Sequence, residues 1–391
     1  MSRRLLPGVA VLAAVLLSVQ APVACATEKI ETITVTNAPD WNPYWVYGID
    51  MNFNTMASGL IQVYDGLHQH FIGQLDSGFS TDGMTISPDH DTIYVPGIYY
   101  SRLTRGTRTD VLDIFDRKTL NHVGEITLPT KHAQSVPTAQ DTTISDDGRF
   151  VYVSNITPAT SISVVDTAKR QFVGEVNTAA CVQAYPYGKH DFFSMCPDAS
   201  ILQISLDDKG AEHSRQKSAP FFNVDEDPVF INGLRSGDKY FFISFNGRVH
   251  TVDLSHGKAT FAPAWSLLSK DDEAQHWRPG GYQVGALNTK TGELFVLMHQ
   301  GDMASHKEPG TQVWVYDTAS QRLLRKLDLT APLKDAGLQP FLGVQVSQTA
   351  EQPLLYGITA DSNLVLMDAA TGKVHHVAKP FGSATMQLVN P

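Results

Sequence analysis

Cysteine is scarce, with 3 in 391 residues. That excludes a disulfide-dense scaffold and a zinc-ribbon array. Basic residues are in deficit, 30 Lys and Arg against 40 Asp and Glu, for a formal net charge of -10. Such a balance argues against nucleic acid as a partner, because phosphate contacts need clustered Lys and Arg. Past the N-terminal segment no stretch is apolar enough to span a bilayer. G-x-S-x-G, P-loop and H-E-x-x-H motifs are all missing, which removes the commonest signatures of nucleophilic, nucleotide-dependent and zinc-dependent chemistry. What remains is globular in character: 42% hydrophobic and 18% charged. Wholesale disorder is excluded, and the chain is long enough to bury a large core.

The N-terminus reads as an address. Arg3 and Arg4 precede an apolar run from Leu5 to Val19, and Ala24-Cys25-Ala26 supplies a small-residue cleavage site. This is the pattern of a Sec-type signal peptide over residues 1–26, cleaved near Ala26, with residues 27–391 as a single mature domain in the periplasm. The run is short for a membrane span, which needs about 20 apolar residues. Pro22 stands where a lipoprotein signal wants Leu. Cleavage removes Cys25 and leaves Cys181 and Cys196. In an oxidising compartment an even pair reads as a disulfide, a staple closing a hairpin-sized loop.

A repeat runs through the rest. Alternating apolar residues lead to an Asp and a polar turn, at Asp65, Asp116, Asp166, Asp207, Asp253, Asp317 and Asp368. Period-2 alternation is the strand signature, and Asp followed by Thr, Ser, Ala or Gly is turn chemistry. A second hairpin precedes most copies, as around Ser87-Pro88-Asp89 and Ser145-Asp146-Asp147-Gly148. Two hairpins per unit make four strands, at about 52 residues per unit, near the size of a kelch blade. The expected fold is all-β: a seven-bladed β-propeller of four-stranded antiparallel blades. Helix is scarce. The clearest candidate runs from Ser269 to Trp277, with Ser269 and Asp272 as a capping box and Pro279-Gly280-Gly281 as the stop.

Candidates for chemistry are few. The acidic runs Asp225-Glu226-Asp227 and Asp271-Asp272-Glu273 read as solvated or capping groups. The close histidine sets, His375-His376, His68 with His70 and His299 with His306, lack a carboxylate or cysteine partner at ligand spacing, so no metal ligand is assigned. A calcium ion in a propeller tunnel stays open. The aromatic-rich stretch Trp41, Tyr44, Trp45, Tyr47 and Phe53 reads equally as core packing or as an exposed partner surface.

Several segments, in order from about Tyr44 to the C-terminus, resemble the large (heavy) subunit of the tryptophylquinone amine dehydrogenases, the methylamine and aromatic amine enzymes. They are Thr104-Arg105-Gly106-Thr107-Arg108-Thr109-Asp110 leading to Phe115-Asp116, the stretch Cys181 to Cys196 containing Asp191-Phe192-Phe193-Ser194-Met195, Trp277-Arg278-Pro279-Gly280-Gly281-Tyr282, and Leu297-Met298-His299-Gln300 with His306-Lys307. The resemblance implies a periplasmic heterotetramer of two large and two small subunits. It implies that tryptophan tryptophylquinone and the catalytic residues belong to the cysteine-rich small subunit, with none in this chain. It implies oxidation of a primary amine to aldehyde plus ammonia, with electrons passed to a blue-copper protein. A large-subunit Phe lines the family's substrate channel, and Phe53 and Phe79 are the matching candidates here; Cys181 and Cys196 match a large-subunit disulfide. The competing expectations are a stand-alone exported propeller that binds a partner without redox chemistry, and a propeller hydrolase with a central calcium.

Overall fold

The structure is a computed structural model that describes residues 36–79, 83–132 and 136–391. The signal peptide expected over residues 1–26 lies outside the described residues. Among those described, no helix is long and apolar enough to cross a membrane.

Seven antiparallel sheets form. The first combines Trp45–Asp50, Leu60–Asp65 and His70–Asp76 with the C-terminal strand Thr385–Val389, which pairs with Trp45–Asp50 as the innermost strand. Each later blade follows in chain order from inner to outer strand, from Thr85–Ile86 through His122–Leu128 in the second to Phe341–Val346 through Val374–Ala378 in the seventh. The fifth and sixth sheets count five strands. In the fifth the outer strand is split into Thr260–Phe261 and Trp265–Ser266; in the sixth the inner strand is split into Trp277–Pro279 and Gly285–Asn288.

The period-2 pattern accounts for the packing. Alternate residues of a strand face opposite sides of a sheet, so each blade feeds two seams. In Glu293–Gln300, Phe295 and Leu297 join one buried cluster while Leu294, Val296 and Met298 join another. The buried apolar residues fall into seven clusters, one per seam between neighbouring blades. The seam that closes the ring sets Val46, Tyr64 and Leu388 of the first blade against Tyr356, Ile358 and Leu366 of the seventh. Fully burying a side chain of this size contributes about 1.5–3 kcal/mol. The closed wheel of the sequence reading is therefore present, with the C-terminal strand as its latch.

Closure leaves the outer strands as edges. Six blades carry a register shift between third and outer strand, at Val63/Tyr64, Ile114/Phe115, Val164/Val165, Ser205/Leu206, Val315/Tyr316 and Leu366/Met367. A bulge of this kind twists an edge away from flat pairing and protects it from aggregation.

The two ends of the strands differ. At one end, here the turn rim, lie the seven repeat Asp residues. Each carboxylate accepts a backbone N–H from the turn it begins, for example Thr119 to Asp116 at 2.7 Å, Ser320 to Asp317 at 2.6 Å and Thr371 to Asp368 at 2.7 Å. Asp65, Asp166, Asp207 and Asp253 do the same. The Ser255 hydroxyl and N–H hold the Asp253 carboxyl down at about 2. The other end, the loop rim, carries the second-to-third-strand loops and the connections between blades. Both short helices sit there, Lys270–Ala274 and Thr330–Asp335. The Ser269–Asp272 capping box is made reciprocally. The helix stops before Trp277, which is drawn into a strand against Met298–Gln300.

Cys181 and Cys196 are disulfide-bonded. They close the hairpin of Val182–Tyr187 and Asp191–Met195 at its loop-rim end.

Candidate functional site

Both candidate phenylalanines emerge on the loop rim. Phe53 opens a 3-10 turn, Phe53–Thr55, that follows Trp45–Asp50. Asn52 ahead of it is in the left-handed region at φ 49°, which an Asn side chain tolerates better than most. The Asn52 amide donates to the Thr55 hydroxyl at 2.6 Å and the Ser58 carbonyl at 2.8 Å, so the turn is held from within. Phe53 itself is 56% exposed, an uncommon state for a residue of that size on a braced turn.

The bracing runs deeper. Asp50 is buried, and its carboxylate accepts N–H groups from Asn52 at 2.9 Å and from Ser383 and Ala384 at 2.7 Å each. Charge-assisted bonds of this type are about twice as strong as neutral ones. They tie the Phe53 turn to the segment that leads into the C-terminal latch strand. Gly382 stands at φ +96°, and a Cβ there would approach Asp50 Oδ2 to 2.6 Å, so this approach needs glycine.

Phe79 reaches the rim by a different path. It follows Gly78, which is at φ +67°. The Gly59 and Gly78 backbones interlock, with Gly59 N–H donating to the Gly78 carbonyl at 2.6 Å and Ser77 N–H to the Gly59 carbonyl at 3.0 Å. Phe79 N–H donates to the Ile98 carbonyl at 2.8 Å, and its ring meets Tyr100 edge-on at 5.6 Å. The two phenylalanine segments are thus neighbours joined through backbone bonds, one ring exposed and one half-buried.

Two of the family-like segments also meet. Trp277–Pro279 pairs with Met298–Gln300, and Gly281 N–H donates to the His306 carbonyl at 3.0 Å. Around them lies an apolar recess of about 300 Å³, walled by Val136, Phe230, Phe245, Tyr282 and His306. His306 stacks on Phe245 at 4.1 Å. Sequence reasoning missed this recess, because Phe230 and Phe245 carry no pattern that separates them from core. Asp50 was missed for a simpler reason: its partners Ser383 and Ala384 lie more than 300 positions away.

Two buried titratable groups, His132 and Asp141, lie nearby. Burial pushes the Asp141 carboxyl up to about 6 against donors from Thr138 and Gln183. Burial, aided by Arg108, pushes the His132 imidazole down to about 3 and keeps it neutral.

The aromatic stretch divides. Trp45 and Tyr47 are fully buried, Trp41 stacks on His90 at 3.8 Å, and Phe53 is exposed. The acidic runs behave as solvated or capping groups: Asp271, Asp272 and Glu273 fill a helix first turn, and Asp227 accepts the Asn246 N–H at 2.9 Å.

Seven four-stranded antiparallel sheets closed into a ring define the class of seven-bladed β-propellers. The likeness to solved structures defines that fold. A functionally unknown protein from Desulfotomaculum acetoxidans matches with a TM-score of 0.59 at 12% identity, over 88% of this chain and 99% of that one. A putative 6-phosphogluconolactonase from Bacteroides uniformis matches with a TM-score of 0.57 at 12% identity, over 91% of this chain and 100% of that one.

Sequence comparison is more specific. The profile of the methylamine dehydrogenase heavy chain family matches residues 45–389. The methylamine dehydrogenase heavy chain of Methylophilus methylotrophus is 26% identical over 98% of this chain and 95% of its own length. That of Methylobacillus flagellatus is 26% identical over 89% and 84%, and that of Paracoccus versutus 27% over 80% and 71%. The chain belongs to the methylamine dehydrogenase heavy chain family, which makes it the large subunit of an amine dehydrogenase.

Proposed function

We propose that this chain is the cofactor-free large subunit of a periplasmic, quinone-dependent amine dehydrogenase. The overall reaction is R-CH2-NH2 plus H2O to R-CHO plus NH3, two protons and two electrons. Tryptophan tryptophylquinone, carried by a small cysteine-rich subunit, would supply the electron sink. Two large and two small subunits would assemble, and a blue-copper protein would take the electrons one at a time. This chain's cysteines fit that division, since Cys181 and Cys196 are spent on each other.

The carrying observation is Phe53, exposed on a rim turn that Asp50 and Asn52 clamp in place. A rigid, exposed aromatic ring on a rim is a wall awaiting a second surface. In this reading Phe53, with Phe79 beside it, forms one side of the channel by which the amine reaches the small subunit. Their part is to orient the substrate by shape and to keep water out. Proton and electron transfer fall to the partner.

The test is expression with and without a small cysteine-rich subunit. The isolated chain is expected to oxidise no amine, and the co-expressed pair to reduce a dye acceptor when amine is added. Turnover by the isolated chain would place the chemistry here instead.

A further inference from the structure

We propose that Asp113, His122 and Glu125 in the second blade form a binding site for a divalent transition-metal ion of zinc type. The ligand atoms of these three side chains lie within 4.8 Å of one another, a spacing that one ion can bridge. One imidazole and two carboxylates suit Zn(II), and the two carboxylates balance its charge.

The site owes its existence to a bulge. His122 and Glu125 are three apart on one strand, which in regular pairing puts them on opposite faces. Here the register steps from Ile114 opposite Gly124 to Phe115 opposite His122, so Val123 is the extra residue. The bulge returns His122 to the face that Glu125 already occupies. Asp113 stands directly opposite Glu125 on the next strand. A sequence search at regular strand spacing passes over this set.

The surroundings call for a cation. Asp113 is almost fully buried, and like charges directly opposite in a sheet are destabilising. Among the described residues no Lys or Arg forms an ion pair with it; His122 does, Nε2 to Oδ1 at 2.9 Å. Asp76 adds a further negative charge beside Tyr99.

The first coordination sphere is also supported. The Tyr99 hydroxyl donates to Asp113 Oδ2 at 2.7 Å and would orient that carboxylate, as second-sphere donors do. Gly97 makes the room: a Cβ there would come to 2.6 Å from Asp113 Oδ2 and 2.8 Å from the Tyr99 ring. His122 is 45% exposed, which leaves a path for the ion.

The other bulged blades show what is special. The corresponding triplets are Gln62, Phe71 and Gln74; Ser163, Phe172 and Glu175; Ile204, Glu212 and Arg215; Trp314, Leu323 and Lys326; and Val365, Val374 and Val377. None offers three ligands. A metal here would staple the outer strand of the second blade to its neighbour.

The test is zinc titration of the full mature chain after chelator treatment, by calorimetry, with cobalt(II) absorption as a spectroscopic check. The expected result is one equivalent bound and an unfolding midpoint that rises with zinc concentration. His122→Ala and Glu125→Gln are each expected to weaken binding at least about tenfold, and Tyr99→Phe less, because Tyr99 acts through Asp113. Both ligand variants alter exposed outer-strand side chains, so if one fails to fold the other still decides. The chain has 14 histidines, so scattered weak uptake is not support. No stoichiometric uptake by the parent chain, equal uptake by both variants, or a preference for calcium over zinc would overturn the proposal.

Discussion

The two rims of the wheel are ends of the same strands, yet they follow different rules. On the turn rim one device recurs seven times, an Asp whose carboxylate accepts the N–H groups of its own turn. On the loop rim the connections vary in length and include both helices, two 3-10 turns and the Cys181–Cys196 bridge. Of the exposed large apolar residues at the strand ends, most lie on the loop rim. Phe53, Met56, Leu103, Val136, Ile156, Val224 and Met303 belong to the loop rim, and Leu67 to the turn rim. Phe71, Val123, Val173, Leu323 and Leu324 belong to neither, being at or beside the outer-strand bulges. Uniform turns build the ring, and variable loops on a rigid frame carry recognition. The contrast sets a repeated turn device on one rim against varied, individually braced loops on the other, and each of the following experiments can break or sharpen it.

The largest effect on stability is expected at the loop rim itself, from its covalent tie. Replacing Cys181 and Cys196 together by Ser removes a closed loop with a sequence separation of 15. In the chain-entropy account that lowers stability by about 3 kcal/mol. Denaturant unfolding of the purified variant measures it. A loss below about 1 kcal/mol would mean that the fourth blade is already held by its seams.

Phe53→Ala separates the two roles more sharply. A half-exposed ring has little burial to lose, so stability is expected to stay within about 0.5 kcal/mol. In the assembled enzyme the ratio of kcat/KM for aromatic against short alkyl amines is expected to shift by roughly 1–3 kcal/mol in free-energy terms, the range of a reshaped pocket wall. Competition between two amines measures the ratio. An unchanged ratio removes Phe53 from the substrate path and returns attention to Phe79.

Much of this frame was legible from residues close together in the chain. The repeat Asp marks, the alternation and the Ser269 cap are all local signals, and each lies where expected. Blade number followed from counting them. The clamp under Phe53 was not legible, because Asp50 meets Ser383 only once the C-terminal strand latches the ring. The Asp113–His122–Glu125 cluster was hidden by one inserted residue, Val123, which breaks the period on which strand reading depends. The exposure of Phe53 was hidden too, since a Phe among Trp and Tyr reads equally as core. Long-range closure and local exceptions to periodicity are where the sequence stops short.

The rims also differ in how they answer pH. His132, at the loop rim, is held down at about 3 by burial, against an ordinary value near 6.5. The folded state therefore refuses a proton that the unfolded chain accepts, and stability falls as pH drops through 6.5 toward 3. At pH 5 that loss is about 2 kcal/mol. Asp141, raised to about 6, works the other way and returns part of it between pH 6 and 4. The turn-rim carboxylates are shifted down, so they contribute fully above pH 4 and are lost only below it. His132→Gln is expected to turn the small net fall in stability between pH 7 and 5 into a rise, because Asp141 then acts unopposed, and to leave the acid limb below pH 4 in place. Denaturant midpoints across that range decide it, and a variant whose stability still falls from pH 7 to 5 would assign the titration to another histidine.

The smallest effect tests the turn rim alone. Asp317 accepts the Ser320 N–H at 2.6 Å and a bond from the Ser320 hydroxyl, on an exposed turn between Gln312–Asp317 and Arg322–Asp328. Asp317→Ala leaves that N–H to water and removes the turn's own template. The expected effect is a small fall in the unfolding midpoint, as when a side chain that caps a backbone donor is lost. Amine oxidation by the assembled enzyme is expected to stay unchanged, because the turn lies at the opposite end of the strands from Phe53 and Phe79. Six other blades carry the same device, so one weakened turn should shift the unfolding midpoint without broadening the transition. A fall in kcat/KM with stability intact would show that the regular rim also takes part in recognition, and the division between the two ends of the strands would fail.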